Sequence, residues 1–227
     1  MRPKAVIIYG PPGSGKGTQS ELLVRINNFI NFDSGRYLEK ELHSPQANKN
    51  PILKKEKKLF DSGKLNSPSF VLKIVKRETN KLATLKENIV YSGSPRTLYE
   101  AFGNKKNKGL IQLLTQIFGK KNIYIIFLKV PPKVSIQRNS ARRVCSICGL
   151  QALSNSKNST CSLCGGKLTK RILDKPEIIK IRIKEFEKRT LPIIQELKKS
   201  KFKIYEINGL LKPFHIYEQI KKILQLK

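Results

Sequence analysis

The stretch Ala5-Val6-Ile7-Ile8-Tyr9-Gly10-Pro11-Pro12-Gly13-Ser14-Gly15-Lys16-Gly17-Thr18-Gln19 decides the fold. Five apolar residues make a short buried strand, a glycine-rich turn follows, and a helical pattern runs from Gly15 to about Arg25. Gly10, Gly13, Gly15 and Lys16 form G-x-x-x-x-G-K between that strand and that helix. A loop that turns successive backbone N–H groups toward a phosphate chain needs glycine. The helix N-terminus adds its positive dipole end, and a lysine in this place reaches the transferred phosphate. The strict pattern has Ser or Thr after the lysine; here Gly17 stands there and Thr18 follows. A glycine turn with a solvated lysine is the structural alternative, and the flanking strand and helix argue against it.

Outward from this loop, strands alternate with helices. Phe29–Phe32, Asn88–Tyr91, Ile123–Val130 and Lys203–Ile207 read as strands, and long helical patterns span Pro176–Lys199 and Phe214–Leu226. That alternation specifies an α/β protein with a five-stranded parallel sheet flanked by helices. Two segments interrupt it. Residues 34–85 hold only helical patterns (Arg36–Leu42, Pro51–Asp61 and Ser67 to about Leu82), and residues 144–170 hold all four cysteines. Both read as insertions on the core.

Composition narrows the class. The 227 residues suffice for one domain with a small insertion. No apolar run approaches the length of a spanning helix, and the N-terminal apolar stretch is too short for a signal peptide, so a cytoplasmic protein is expected. The formal charge is +30, and no acid lies between Glu100 and Asp174. Such a field attracts polyanions: nucleotides, nucleic acid or an anionic surface. Scattered lysines carry little information about function. The arginines carry more, because a guanidinium grips phosphate in a fork. Six of the eleven, Arg96, Arg138, Arg142, Arg143, Arg171 and Arg182, gather after a core strand and around the cysteine segment. Phosphoryl transfer needs two phosphate groups held in line among cations, and an arginine set from several segments supplies that. Arg143 is the best candidate for a plain surface pair.

Cys145-x-x-Cys148 and Cys161-x-x-Cys164 have the spacing of two zinc knuckles, each offering two thiolates from one tight turn. Four thiolates leave no open position, so the metal would be structural. Paired disulfides are the rival and suit an oxidising compartment instead. A zinc ribbon in a basic segment also fits a nucleic-acid-binding module, but no aromatic residue lies between Cys145 and Cys164 to stack on a base.

The run Gly10–Gln19 closely resembles the phosphate loop of adenylate kinases and related nucleoside monophosphate kinases. Ser34-Gly35 resembles that family's Thr-Gly pair, and Asp61-x-Gly63-x-Leu65 its acceptor-side turn. Gly93-x-Pro95-Arg96-Thr97 resembles its G-x-P-R-T loop. Arg138, Arg142, Arg171 and Arg182 fall where its phosphate-clamping arginines fall. The resemblance covers essentially the whole chain in order. It implies a P-loop core (1–33, 86–137 and 172–227), an acceptor-binding helical insertion (34–85) and a zinc-bound lid (138–171). Donor binding falls to Gly10, Gly13, Ser14, Gly15, Lys16, Gly17, Thr18, Arg138 and Arg142. Acceptor binding falls to Ser34, Gly35, Arg36, Leu65, Gly93, Arg96, Glu100, Arg171 and Arg182. Transfer itself is expected to depend on Lys16, Arg96, Arg138, Arg142, Arg171 and Arg182. The implied ligands are ATP with Mg²⁺, a nucleoside monophosphate and one structural Zn²⁺. A monomer is the simplest expectation, with no membrane partner and no required nucleic acid.

Four positions depart from the resembled pattern. Ser92 replaces an Asp that holds magnesium waters, with Asp33 on the neighbouring strand as a possible substitute. Glu100 replaces a base-reading Gln, so it would favour a base with adjacent donors such as guanine, unless it turns to solvent and AMP stays the acceptor. Glu39 replaces an acceptor-site Arg, and Leu173 the first of two lid aspartates. Two readings remain beside the kinase: a zinc-ribbon, nucleic-acid-associated P-loop ATPase, and a degenerate nucleotide-binding member with low turnover.

Overall fold

The computed structural model describes residues 3–152 and 158–226; Met1, Arg2, Lys227 and residues 153–157 of the expected lid lie outside the described residues. Five strands form one parallel sheet: β1 (Ala5–Tyr9), β2 (Ile30–Phe32), β3 (Ile89–Tyr91), β4 (Ile123–Lys129) and, late in the chain, β8 (Ile204–Asn208). Their spatial order is β2-β3-β1-β4-β8. β1 is central, pairing Ala5 with Ile89 on one side and with Ile123 on the other. All five of its side chains are buried. Ala5, Ile7 and Tyr9 pack into a core cluster on one face of the sheet, and Val6 and Ile8 into a second cluster on the other. An apolar run without polar alternation is what a strand covered on both faces requires.

The helices are α1 (Lys16–Asn27), α2 (Ser34–Leu42), α3 (Pro51–Asp61), α4 (Pro68–Ala83), α5 (Leu98–Phe102), α6 (Leu110–Phe118), α7 (Pro132–Ala141), α8 (Pro176–Glu185), α9 (Leu191–Lys199) and α10 (Pro213–Leu224). Residues 34–85 hold α2, a 3₁₀ turn, α3 and α4 and no strand. The pattern read as one helix over Pro176–Lys199 is divided: a π turn, Phe186–Thr190, separates α8 from α9. Pro192 has no N–H to give to the preceding turn, so the regular ladder cannot pass it. The Thr190 hydroxyl in the π turn donates to Arg96 O at 2.9 Å, tying the break to the site below.

The cysteine segment folds as a second, three-stranded antiparallel sheet in the order β6-β5-β7, from β5 (Arg143–Cys145), β6 (Gln151–Ala152) and β7 (Leu168–Thr169). Among the described residues no helix is long and apolar enough to cross a membrane.

Candidate active site

The loops after β1, β2, β3 and β8 open at the same, C-terminal edge of the parallel sheet, where α/β proteins place their ligands. They line a cavity of about 810 Å³, roofed by residues of α7 and the cysteine segment.

The phosphate loop is held from behind. Gly13 has φ +76°, and a Cβ there would fall 2.9 Å from Ser135 O and 2.4 Å from Asn139 Nδ2, so only glycine fits. Ser135 and Asn139 are fully buried on α7; the Ser135 hydroxyl donates to Pro12 O, and Asn139 Nδ2 donates to Ser135 O at 2.7 Å. Lys16 Nζ folds back to donate to Gly10 O at 2.7 Å and Pro11 O at 2.9 Å. Burial, then the charges of Arg96, Arg182 and Arg142, lower the Lys16 pKa to about 7, with Asp33 opposing. A side chain at Gly17 would meet Gln151 Nε2 at 2.8 Å. The position where Ser or Thr is usual is therefore roofed closely by β6.

Four arginines enter from three segments: the loop after β3, the C-terminal end of α7, and α8. Arg96 Nε donates to Gly93 O at 2.7 Å, and its pKa is lowered, chiefly by burial. Arg138 Nη1 donates to Gly209 O at 2.7 Å in the loop after β8. Arg142 forms a fork on Asp174, with Nε 2.8 Å from Oδ2 and Nη2 on Oδ1. Arg182 Nη1 donates to Leu173 O at 3.1 Å and lies 3.5 Å from Asp174 Oδ1. Asp174 is thus the buried hub that sets two cavity arginines side by side. Burial, then Arg142, Arg96 and Arg171, lower the Arg182 pKa to about 9. So many buried guanidinium groups with so few carboxylates make a cavity prepared for polyanions.

Of the residues expected at the site, Gly10, Gly13, Ser14, Gly15, Lys16, Gly17, Thr18, Gly35, Arg36, Leu65, Gly93, Arg96, Arg138, Arg142, Arg171 and Arg182 all line the cavity. Ser34 and Glu100 are buried outside its lining. Glu100 is 3% exposed, so the carboxylate does not turn to solvent: Oε2 accepts from Arg96 N at 2.8 Å and Oε1 from the Thr97 hydroxyl at 3.0 Å. Thr97 Oγ1 in turn accepts from Glu100 N and so caps α5. Arg36 and Glu39 reach the cysteine segment: Arg36 Nη2 donates to Gly149 O at 2.9 Å, and Arg171 Nη2 meets Glu39 Oε2 at 2.5 Å. Arg143 is outside the cavity, bonded to Asn158 O. Sequence reasoning left Gln151 and the buried supports Ser135 and Asn139 unassigned, since nothing in their spacing marks them.

The four sulfurs of Cys145, Cys148, Cys161 and Cys164 all lie within 4.8 Å of one another, with no disulfide among them. Cys145 Sγ is 3.4 Å from Cys164 Sγ, and Cys148 Sγ 3.7 Å from Cys161 Sγ. Tetrahedral zinc with bonds of about 2.3 Å spaces sulfurs by about 3.8 Å, so the cluster fits zinc. Hydrogen bonds from backbone N–H groups, that of Cys148 foremost, bring the Cys145 thiol down to about 6; that of Leu163 foremost lowers Cys161. Both shifts favour the thiolate a metal needs, whereas at Cys148 a hydrogen bond from Leu150 N–H is outweighed by burial and the neighbouring thiols, which push that thiol up to about 12.

A glycine loop at the sheet edge, faced across one cavity by converging guanidinium groups, defines a P-loop phosphotransferase. The family model "Adenylate kinase" matches residues 8–202. Adenylate kinase of Thermosipho africanus is 29% identical over 97% of this chain and 99% of its own length. That of Borrelia turicatae is 32% identical over 83% and 84%, and that of Mycoplasma mycoides subsp. mycoides 30% over 97% and 99%. The chain belongs to the adenylate kinase family and is an ATP-dependent nucleoside monophosphate kinase. Kinases of this family use magnesium with ATP. The sheet edge offers an oxygen donor of the hard type magnesium takes, the Asp33 carboxylate.

Proposed function

We propose that the enzyme transfers the γ-phosphoryl group of ATP to AMP, producing two ADP. The observation that carries this reading is the convergence of Lys16, Arg96, Arg142, Arg171 and Arg182 on one cavity, where burial and mutual repulsion already lower the proton affinity of Lys16 and Arg182. Two phosphate chains brought in line relieve that repulsion, and the charge that develops on transfer relieves it further.

In this reading the core (1–33, 86–137 and 172–227) holds the donor through Gly10 to Thr18, with Arg138 and Arg142. The insertion (34–85) and the loop after β3 hold the acceptor through Gly35, Leu65, Gly93 and Arg96. Arg171 and Arg182 grip phosphates from the lid side. Ser34 and Glu100 support these loops from behind, and Arg36 ties the insertion to the lid (138–171). Asp33, at the sheet edge, would stand toward the magnesium that accompanies ATP, and the ion would supply positive charge to offset that of the donor phosphates. The acceptor phosphate is already anionic, so no general base is needed. Closure of Gln151 over Gly17 helps keep water from the donor. The zinc is structural. One chain supplies every group in this scheme, so a monomer suffices, and free thiols suit a cytoplasmic setting. Nucleic acid has no part in it.

A coupled assay with ATP, magnesium and each of AMP, GMP, CMP and UMP tests the reading. AMP is expected to exceed the others in kcat/KM by about tenfold or more. ATP hydrolysis stimulated by nucleic acid, without transfer to any monophosphate, would overturn it.

A further inference from the structure

Phosphoryl transfer in P-loop enzymes places its magnesium between the phosphate loop and a carboxylate at the end of a neighbouring strand. The strand beside β1 ends here in Ser92, which cannot fill that place, and its hydroxyl is turned to Asn31 Oδ1 at 3.2 Å. The geometry points to Asp33, one strand further out, as the residue that holds the magnesium of the donor nucleotide through its water shell.

Three observations carry this. First, register. β2 pairs with β3 so that Phe32 lies opposite Tyr91, and Ser92 N donates to Phe32 O at 3.3 Å. Asp33 and Ser92 therefore leave adjacent parallel strands at the same level, and the carboxylate has moved sideways by one strand spacing, about 4.8 Å. A magnesium ion that keeps several of its waters tolerates such a displacement better than one bound directly, since a water layer fills the added distance. Second, availability. The carboxylates lining the cavity are Glu21, Asp33 and Glu185. Glu21 is paired with Arg25, and Glu185 accepts from Leu65 N and pairs with Arg189. Asp33 spends only Oδ1 on capping α2, through Gly35 N and Arg36 N at 2.9 and 3.1 Å. Its Oδ2 makes no hydrogen bond among the described residues and is held only by the long ion pair with Arg36 Nε at 3.6 Å, while Arg36 Nη2 donates to Gly149 O. Third, position in the field. Asp33 lines the same cavity as Lys16 and Arg96, and its charge acts on both.

The inference rests on ATP as donor, as in the reading above, but involves no acceptor, so it is tested by ATP binding alone. Asp33→Asn keeps the α2 cap, because Asn caps as well as Asp, and removes the charge. Dissociation constants for ATP are measured by calorimetry with excess magnesium and with chelator, beside the magnetic resonance spectrum of Mn²⁺ bound with ATP to the protein. Wild type prefers the magnesium form; Asp33→Asn loses about tenfold or more of that preference and alters the Mn²⁺ spectrum. The double variant Asp33→Ser/Ser92→Asp, which keeps a capping residue and moves the carboxylate onto β3, restores both. A preference in Asp33→Asn within twofold of wild type overturns the inference. So does a double variant that folds, by circular dichroism, without regaining the preference, since Asp33 would then act only through the shape of its loop. A wild type indifferent to magnesium overturns it as well, and leaves the choice of acceptor to the coupled assay.

Discussion

The two walls of the cavity are held by different physical means. The floor, Gly10 to Lys16, is backbone geometry: a strand buried on both faces, glycines where no side chain fits, and buried Ser135 and Asn139 behind. The roof is a small antiparallel sheet whose centre is four sulfurs, with Ile147 75% and Leu163 56% exposed. Among its described residues it has almost no apolar core, and it meets the rest of the site through side chains: Gln151 over Gly17, Arg36 to Gly149 O, and Arg171 on Glu39. A floor of this kind is preorganised. In the proposed lid role, a roof of this kind would be held by its charge pairs and by zinc at the four sulfurs, which suits a part that opens for each turnover.

The largest blow to the floor is Lys16→Ala. Turnover should fall by about 10²–10³-fold or more, the usual cost of one charge-stabilising donor, with the circular dichroism spectrum unchanged. A loss of only a few-fold would mean that the floor does not hold the donor phosphates. The same residue gives a pH signature. The free enzyme holds Lys16 near pKa 7, against 10.5 as the ordinary value. Between these two the unfolded chain binds more protons than the folded one, so Lys16 makes stability rise with pH across that window and is a cost below it. Bound phosphate favours the ammonium. ATP binding should therefore take up protons at pH 8 and almost none at pH 6, as calorimetry in buffers of different ionisation enthalpy would read.

Attack on the roof should be milder for the fold and still severe for activity. Elemental analysis should find one zinc per chain. Strong chelation, or Cys148→Ser, should lower turnover by about tenfold or more. Hydrogen exchange should then rise in β5, β6 and β7 while β1 and β4 stay protected. Equal loss of protection in both sheets would erase the contrast between the walls.

A smaller effect isolates the charge pair. Glu39 is 38% exposed and Arg171 17%, so their attraction is partly screened. Glu39→Gln should raise the KM for both nucleotides about two- to fivefold, corresponding to about 0.5–1 kcal/mol, and high salt should shrink the difference. A KM unchanged at low salt would remove this pair from the closure.

The same contrast decided what could be read from the sequence. The floor was legible because its demands are local: an apolar pentad, then Gly10, Gly13, Gly15 and Lys16 at fixed spacing. The cysteine knuckles were legible for the same reason. The helix over Pro176–Lys199 was read through its break, since the apolar period continues across the π turn and Pro192 alone marked the fault. α5, α6 and α7 went unread between stronger signals, and so did the strands of the cysteine segment, two of which have only two residues. Contacts between floor, insertion and roof were out of reach. Arg36 and Gly149 are 113 residues apart and Glu39 and Arg171 are 132 apart, and each is chosen by three-dimensional closure, which leaves no spacing to recognise.

Glu100 is the sharpest such case, and its substitution should have the smallest effect of all. From its place in the motif it was expected to read the acceptor base. The structure gives it local work: it accepts from Arg96 N and the Thr97 hydroxyl and helps start α5. Burial raises its pKa, so the charged form carries a penalty that the two hydrogen bonds offset only in part. Glu100→Gln removes that penalty and keeps one carbonyl acceptor, while its NH₂ must meet a group that was a donor. These changes oppose each other, and stability should move by no more than about 1 kcal/mol. A residue that only holds the turn alters kcat/KM for AMP, GMP, CMP and UMP by one common factor. A residue that reads the base changes their ratios. The expected outcome is ratios within twofold of wild type beside a thermal midpoint shifted by a few degrees. A tenfold change in any ratio would mean that the carboxylate leaves the α5 cap when the acceptor binds.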